Sequence, residues 1–275
     1  MHWQTTRFQL DLTSPRVMGI VNVTPDSFSD GGQFQSPRAG IKHCERLVSQ
    51  GADLLDLGAE SSRPGAPTLS ADEEWARLSP VLLAALTLGV PVSVDTCKTE
   101  VMQRALDAGA DIINDIRALS APGALDTIAK HASCGVCLMH MRGDPASMQA
   151  QAHYTDVVDE VKAFLAARVA AVQAAGIALD RITLDPGVGF GKTPEHNLAL
   201  LARQEALLDL GLPLLLGWSR KSTLGQVTGR PVEQRLAASL AAALGAVVKG
   251  ARILRVHDVA ETVDALKVWR AAHLC

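Results

Sequence analysis

The chain lacks most features that would carry it out of the cytoplasm or onto a charged polymer. It has no charge excess: 26 basic against 29 acidic residues leave a formal net charge of -3. Nothing in that total points to nucleic acid or to an anionic membrane. It has no apolar run of the ~20 residues that a membrane span needs. Of the most apolar uncharged stretches, Leu78 to Val94 is broken by Ser79, Pro80, Gly89 and Pro91, and Leu236 to Val248 is Ala-rich and short. Both read as buried helix or strand. The opening residues, MHWQTTRFQLDLTS, lack the basic-then-apolar layout of a secretory signal. Cysteine is sparse and odd in number, five in 275 residues, which excludes a disulfide framework. The expected compartment is the cytoplasm. Low-complexity segments, charge runs and Pro/Gly/Ser linkers are missing too, so residues 1–275 are expected to form a single domain. Its 48% hydrophobic and 20% charged content suits a soluble protein with a substantial core.

What is present is a recurring pattern. Short runs rich in Val, Ile and Leu alternate with longer segments of helical period. The runs are Val17–Val23, Leu54–Ala59, Val90–Val94, Asp111–Asn114, Gly135–Met139, Ile182–Leu184, Pro213–Gly217 and Ile253–Val256. Continuous rather than alternating apolarity indicates strands covered on both faces, as in parallel sheets. The segments between them carry helix signals. Ser70-Ala71-Asp72-Glu73 is a capping box, and Ser36-Pro37 places a cap before proline. Gly51, Gly89, Gly109 and Gly176 suit left-handed C-caps, and Thr155 to Ala175 has apolar residues at helical spacing. Eight β-then-α units in about 250 residues predict an α/β fold, a (β/α)8 TIM barrel. A Rossmann sheet would need G-x-G-x-x-G after the first strand, and MGIVNVTPDS does not supply it. Residues 5–13 are expected to form a short N-terminal hairpin closing the barrel bottom.

Barrel enzymes build their sites at the C-terminal ends of the strands. Here every run delivers a polar group to that rim. In chain order these are Asn22, Glu60 to Arg63, Asp95, Asn114-Asp115, His140, Asp185, Ser219 to Ser222, and Arg255 with His257. Asp95, Asn114 and Asp185 are short groups suited to the hydrogen-bonding edge of a flat heterocycle. Taken alone, Asp95 or Asp185 reads equally well as the N-cap of the helix that follows. Arg63, Lys221, Arg255 and His257 form a cationic set suited to an oligophosphate. Arg255 and His257 stand at i and i+2 on a strand and share one face. Asn22 has a side-chain carbonyl that could ligate Mg²⁺, a hard cation that commonly accompanies diphosphate. Two Gly- and Pro-rich loops, 24–32 and 61–66, are candidate lids.

In order along the chain, GIVNVTPDSFSDGG, ESSRPGA, VDTCK, GADIIND, LMHMRGDPASMQ, LDPGVGFGKTPEHN, SRKS and RVHDV resemble the dihydropteroate synthases. The resemblance covers nearly the whole chain. It implies a transferase of folate biosynthesis and a sulfonamide target. The implied reaction joins 6-hydroxymethyl-7,8-dihydropterin diphosphate to p-aminobenzoate, giving 7,8-dihydropteroate and diphosphate, in a Mg²⁺-using homodimer. Residue by residue, it implies that Asn22 binds the metal and that Asp95, Asn114, Asp185 and Lys221 hold the pterin. Ser62, Arg255 and His257 would hold the diphosphate. Phe28, Asp30, Arg63 and Pro64 would close over the site, and Ser222 would receive p-aminobenzoate. Lys221, Arg255, His257, Arg63 and Asp30 are the implied catalytic residues. Small-molecule substrates are the implied partners, with no nucleic acid and no membrane. Two departures stand out: Gly58-Ala59-Glu60-Ser61-Ser62-Arg63 replaces a Gly-Gly-Glu-Ser-Thr-Arg pattern, and Arg117 stands where a smaller residue is usual.

Other motifs read as structural. Cys134 and Cys137 form a lone C-x-x-C with Cys137 inside the run Gly135–Met139, which suits core cysteines. Gly187 to Thr193 looks like a phosphate loop, but Walker A spacing would need glycine where Pro186 stands. Asp56 is expected to be a satisfied inward-facing acid, and His140 to line the barrel mouth. The rivals are a pterin-binding methyltransferase, which needs neither SSRPGA nor RVH, and a non-catalytic pterin-binding relative.

Overall fold

Eight apolar runs become eight parallel strands that close on one another. The computed structural model describes residues 1–23, 36–60, 68–144 and 148–272. The barrel strands are β3 (Arg16–Asn22), β4 (Leu54–Gly58), β5 (Val92–Asp95), β6 (Ile112–Asp115), β7 (Gly135–Met139), β8 (Ile182–Asp185), β9 (Leu214–Leu216) and β10 (Ala251–Val256). Each pairs with the next, and β10 pairs with β3 to seal the barrel, as the sequence pattern predicts. Three expected strand starts move later, at β5, β6 and β9, two of them for one reason. Pro91 and Pro213 have no N–H for a ladder, so β5 and β9 begin after them.

Strand alternation divides the core in two. Outward side chains such as Val21, Leu57, Val94, Ile113, Leu138 and Leu184 join the helices in one large apolar shell. Inward Met18, Leu54, Ile112, Cys137, Leu215 and Ile253 fill the barrel with Trp3 and Leu12. Those last two come from the N-terminal hairpin, which lies earlier than expected. Strand β1 (His2–Gln4) pairs antiparallel with β2 (Gln9–Asp11), so residues 5–8 form the turn and the hairpin spans 2–11 rather than 5–13. Thr5 makes that turn, its N–H and hydroxyl both donating to the Phe8 carbonyl. The buried Trp3 indole donates to the Arg181 carbonyl at 2.9 Å, fixing the hairpin beneath the barrel.

Helices follow each strand. The helix α1 (Ser36–Ser49) follows β3, and α2 (Ala71–Ala85) opens on the expected capping box, with Ser70 and Glu73 satisfying each other's backbone N–H groups. Further round come α3 (Thr99–Asp107), α4 (Ala124–Lys130), α5 (Val157–Ala174), α6 (Pro194–Ala202), α7 (Ser222–Thr228), α8 (Leu236–Val248) and α9 (Val259–Ala271). Among the described residues no helix is long and apolar enough to cross a membrane.

Candidate active site

The barrel mouth collects charge because several of its inward rows change from apolar to polar along the strand. On β4 Leu54 is followed two residues later by Asp56 and then by Gly58; on β10 Ile253 is followed by Arg255. Register sets Asp95 beside Asn114 on one side and Gly58 on the other, and Asn22 beside Gly58. Asp185 ends β8.

Arg255 is the hub. Its Nε donates to Asp56 Oδ2 at 2.6 Å and its Nη2 to Asp95 Oδ2 at 2.8 Å. Asn114 Nδ2 donates to the same Asp56 oxygen at 3.2 Å. Burial lowers the Arg255 pKa, but Asp56 and Asp95 outweigh it and the guanidinium stays charged. Burial pushes Asp95 up to about 7 against the pull of Arg255. Asp185 is raised by burial too, although Gly187 N–H donates to it at 2.7 Å. Burial likewise pushes Lys221 down to about 8, with Asp185 opposing. The structure therefore brings Asp95, Asn114, Asp185, Lys221 and Arg255 into one coupled cluster and adds Asp56.

Lys221 reaches that cluster from a constrained turn. Arg220 has φ of 59°, a left-handed conformation that costs a residue with a Cβ roughly 1–2 kcal/mol. Three contacts hold it there. Its guanidinium grips Asp258 with two bonds, at 3.1 and 2.5 Å, its N–H donates to Ser239, and its carbonyl accepts from Arg235. Asp258 follows His257, so one ion pair ties together the turns that carry Lys221 and His257. The His257 ring sits 3.0 Å from Ser219 Oγ. Burial, then Arg255 and Arg220, push its pKa down to about 3. His257 thus enters as a neutral imidazole rather than as a member of the cationic set.

At the second loop, Glu60 accepts from Leu69 N–H at 3.4 Å and pairs with Lys98, which also reaches the buried Glu74 at 2.5 Å. Ser62, Arg63, Pro64, Phe28 and Asp30 lie outside the described residues, as do both candidate lids. Asn22 is half-buried at the end of β3, and Ser222 is exposed as the first residue of α7. Among the described residues no three His, Cys, Asp or Glu side chains gather as a metal cage.

A family model described as pterin binding enzyme matches residues 18–257. A dihydropteroate synthase of Neisseria meningitidis serogroup B is 52% identical, over 98% of this chain and 96% of its own length. The structure of Xanthomonas albilineans dihydropteroate synthase with 4-aminobenzoic acid superposes with a TM-score of 0.93 at 50% identity, covering 99% of both chains. The same organism's enzyme in complex with 7,8-dihydropteroate superposes at 0.89 with 47% identity, over 98% of each chain. The chain belongs to the dihydropteroate synthase family.

Within that family frame, three residues of the mouth escaped sequence reasoning. Asp56 faces inward as expected, yet it is a partner of Arg255, and its Oδ1 has no partner among the described residues. The signal was its i−2 spacing from Gly58 on the strand's inner face. Phe190 places its ring 4.4 Å from Lys221 Nζ, and Lys192 is buried beside His140. Arg117 gains an account: it pairs with Asp144 at 2.8 Å, bridging the loops after β6 and β7. Cys134 and Cys137 are buried and free.

Proposed function

We propose that this chain condenses 6-hydroxymethyl-7,8-dihydropterin diphosphate with p-aminobenzoate, giving 7,8-dihydropteroate and diphosphate. The observation that carries the reading is the cluster of half-buried Asp95 with buried Asn114 and Asp185 around two cations at the mouth of a barrel. Carboxylates and an amide placed side by side match the N–H, ring-nitrogen and amino groups on a pterin edge. Lys221, drawn towards Asp185, holds the pterin with them.

In the reaction the carbon–oxygen bond between the pterin methylene and diphosphate breaks, and the arylamine nitrogen bonds to that carbon. The amine then loses a proton to solvent. Arg255 and Arg63 supply positive charge as it gathers on the leaving diphosphate, and neutral His257 supplies a ring N–H. Ser62 adds a hydroxyl contact. Phe28, Asp30 and Pro64 close the site and keep water from the methylene. Ser222, next to Lys221, receives the p-aminobenzoate carboxylate. Lys221, Arg255, His257, Arg63 and Asp30 are the proposed catalytic set.

Mg²⁺ is the proposed metal, with Asn22 giving one amide oxygen. Water and substrate phosphate would give the remaining oxygens, as suits Mg²⁺. When bound it would neutralise charge on the leaving group. A cytoplasmic homodimer is the proposed assembly. Its support is the stretch from the end of α7 to the start of α8, where Val227, Val232 and Leu236 present apolar side chains to solvent. The test is to supply both substrates with Mg²⁺ and detect 7,8-dihydropteroate; no product would overturn the reading.

A further inference from the structure

Lysine is a poor residue for the place that Lys98 occupies. It is the N-cap of α3, where its side chain caps no N–H group and its charge opposes the helix dipole. Its ammonium turns instead to two carboxylates, Glu60 after β4 and Glu74 in the first turn of α2. Glu74 lies 2.5 Å away with 1% of its side chain exposed, and Lys98 itself is largely covered. Burial pulls the Lys98 pKa down, but Glu60 and Glu74 outweigh it, so the ammonium stays charged. A local preference is broken here for a tertiary contact, which marks a residue placed to serve another element.

That element is the end of β5. Asp95 closes the strand and faces Gly58, the last residue of β4, in register. A Cβ on Gly58 would lie 3.5 Å from Asp95 Cβ and 3.7 Å from its Oδ2, so Asp95 rests on bare β4 backbone. Two residues past Gly58 the chain reaches Glu60, and three past Asp95 it reaches Lys98. Their ion pair closes a ring on the β4 side of Asp95. On the β6 side the Thr96 N–H donates to the Asn114 carbonyl at 3.1 Å, and the Lys98 N–H donates to Thr96 Oγ1 at 3.2 Å. Asp95 is therefore held between two ties, and both run through residues 96–98. Glu74 gives the ring a fixed post, because a carboxylate buried that deeply keeps its charge only beside a cation. Arg255 sets which way the Asp95 carboxylate points, and Lys98 sets where its backbone stands.

We propose that Lys98, seated between Glu60 and Glu74, is a positioning residue that fixes Asp95 for the pterin edge. This rests on the proposed pterin role of Asp95 and deepens it. Calorimetry of 6-hydroxymethyl-7,8-dihydropterin diphosphate binding to Lys98→Met, with steady-state kinetics for p-aminobenzoate, tests it. The expected result is a pterin diphosphate Kd raised about 10-fold, with the p-aminobenzoate KM within about 3-fold of the unaltered protein. Lys98→Arg keeps a cation that can fork onto both carboxylates, and is expected to hold Kd within about 3-fold. An unchanged Kd in Lys98→Met, equal losses towards both substrates, or a loss in Lys98→Arg as large as in Lys98→Met would overturn the proposal. If Lys98→Met does not fold, Glu60→Gln opens the ring and leaves Glu74 paired; a Kd raised about 3-fold is expected, and an unchanged one overturns the proposal. Asp95→Asn, run alongside, separates the two possible failures. Full pterin diphosphate affinity in that variant removes Asp95 from the pterin site, and the proposal with it. Lost affinity there with full affinity in Lys98→Met removes Lys98 alone.

Discussion

Arg255 and Asp56 form an ion pair inside the barrel, with Nε 2.6 Å from Oδ2 and the carboxylate fully shielded from solvent. The same guanidinium reaches Asp95, so a residue that does not end any strand holds the charge that faces the substrate. Removing one partner of a buried pair leaves the other charge unpaired, at a cost of roughly 3–5 kcal/mol. Asp56→Ala is expected to lower stability by about that amount in urea denaturation, and to lower turnover, since Arg255 loses its anchor. Asp56→Asn keeps the shape and should lose less.

Arg255→Ala removes the cation itself. Turnover should fall roughly 100-fold or more, the scale of losing a donor aimed at developing charge. Near-normal turnover would remove Arg255 from the proposed catalytic set.

The mouth also predicts a narrow pH window. Asp95 is pushed up to about 7 by burial, so below that pH it is protonated and a poorer acceptor for the pterin N–H groups. Lys221 is pushed down to about 8, so above that pH it loses its charge. The value of kcat/KM for pterin diphosphate should therefore rise through about 7 and fall beyond about 8. Asp95→Asn should erase the rising limb and Lys221→Arg should move the falling limb upward, both read from pH–rate profiles.

Much of this was legible in the sequence because strands announce themselves by apolar runs and their ends by polarity. Asp95, Asn114 and Asp185 fall at or next to the end of a run, and the barrel places them together. Asp56 was hidden because it sits inside a run, where an acid reads as structural until its cross-barrel partner is known. Lys192 was hidden because its acceptors are mostly backbone carbonyls, which no sequence spells out. The lowered pKa of His257 follows from burial, then from Arg255 and Arg220, neighbours that only the fold brings together. The hairpin was placed late because the Trp3 contact that fixes it, with the Arg181 carbonyl, spans 178 residues.

The hairpin predicts a separation of stability from activity. Trp3 is wholly buried at the end of the barrel away from the mouth. Trp3→Ala should cost about 3–5 kcal/mol, a clear drop in thermal midpoint. Below that midpoint kcat should stay near its original value, and a proportionate loss of kcat would show that the plug shapes the mouth.

The same turn logic applies to Arg220. Its ion pair with Asp258 restrains the backbone that delivers Lys221 and His257 together. Asp258→Ala should reduce kcat/KM about 10-fold while the protein stays folded by circular dichroism.

The central claim is tested most directly by diphosphate release from 6-hydroxymethyl-7,8-dihydropterin diphosphate with Mg²⁺, measured with and without p-aminobenzoate. The account predicts release that depends on p-aminobenzoate and is matched by formation of dihydropteroate. Tight pterin diphosphate binding with no release under either condition would contradict it, leaving a pterin-binding barrel without the chemistry.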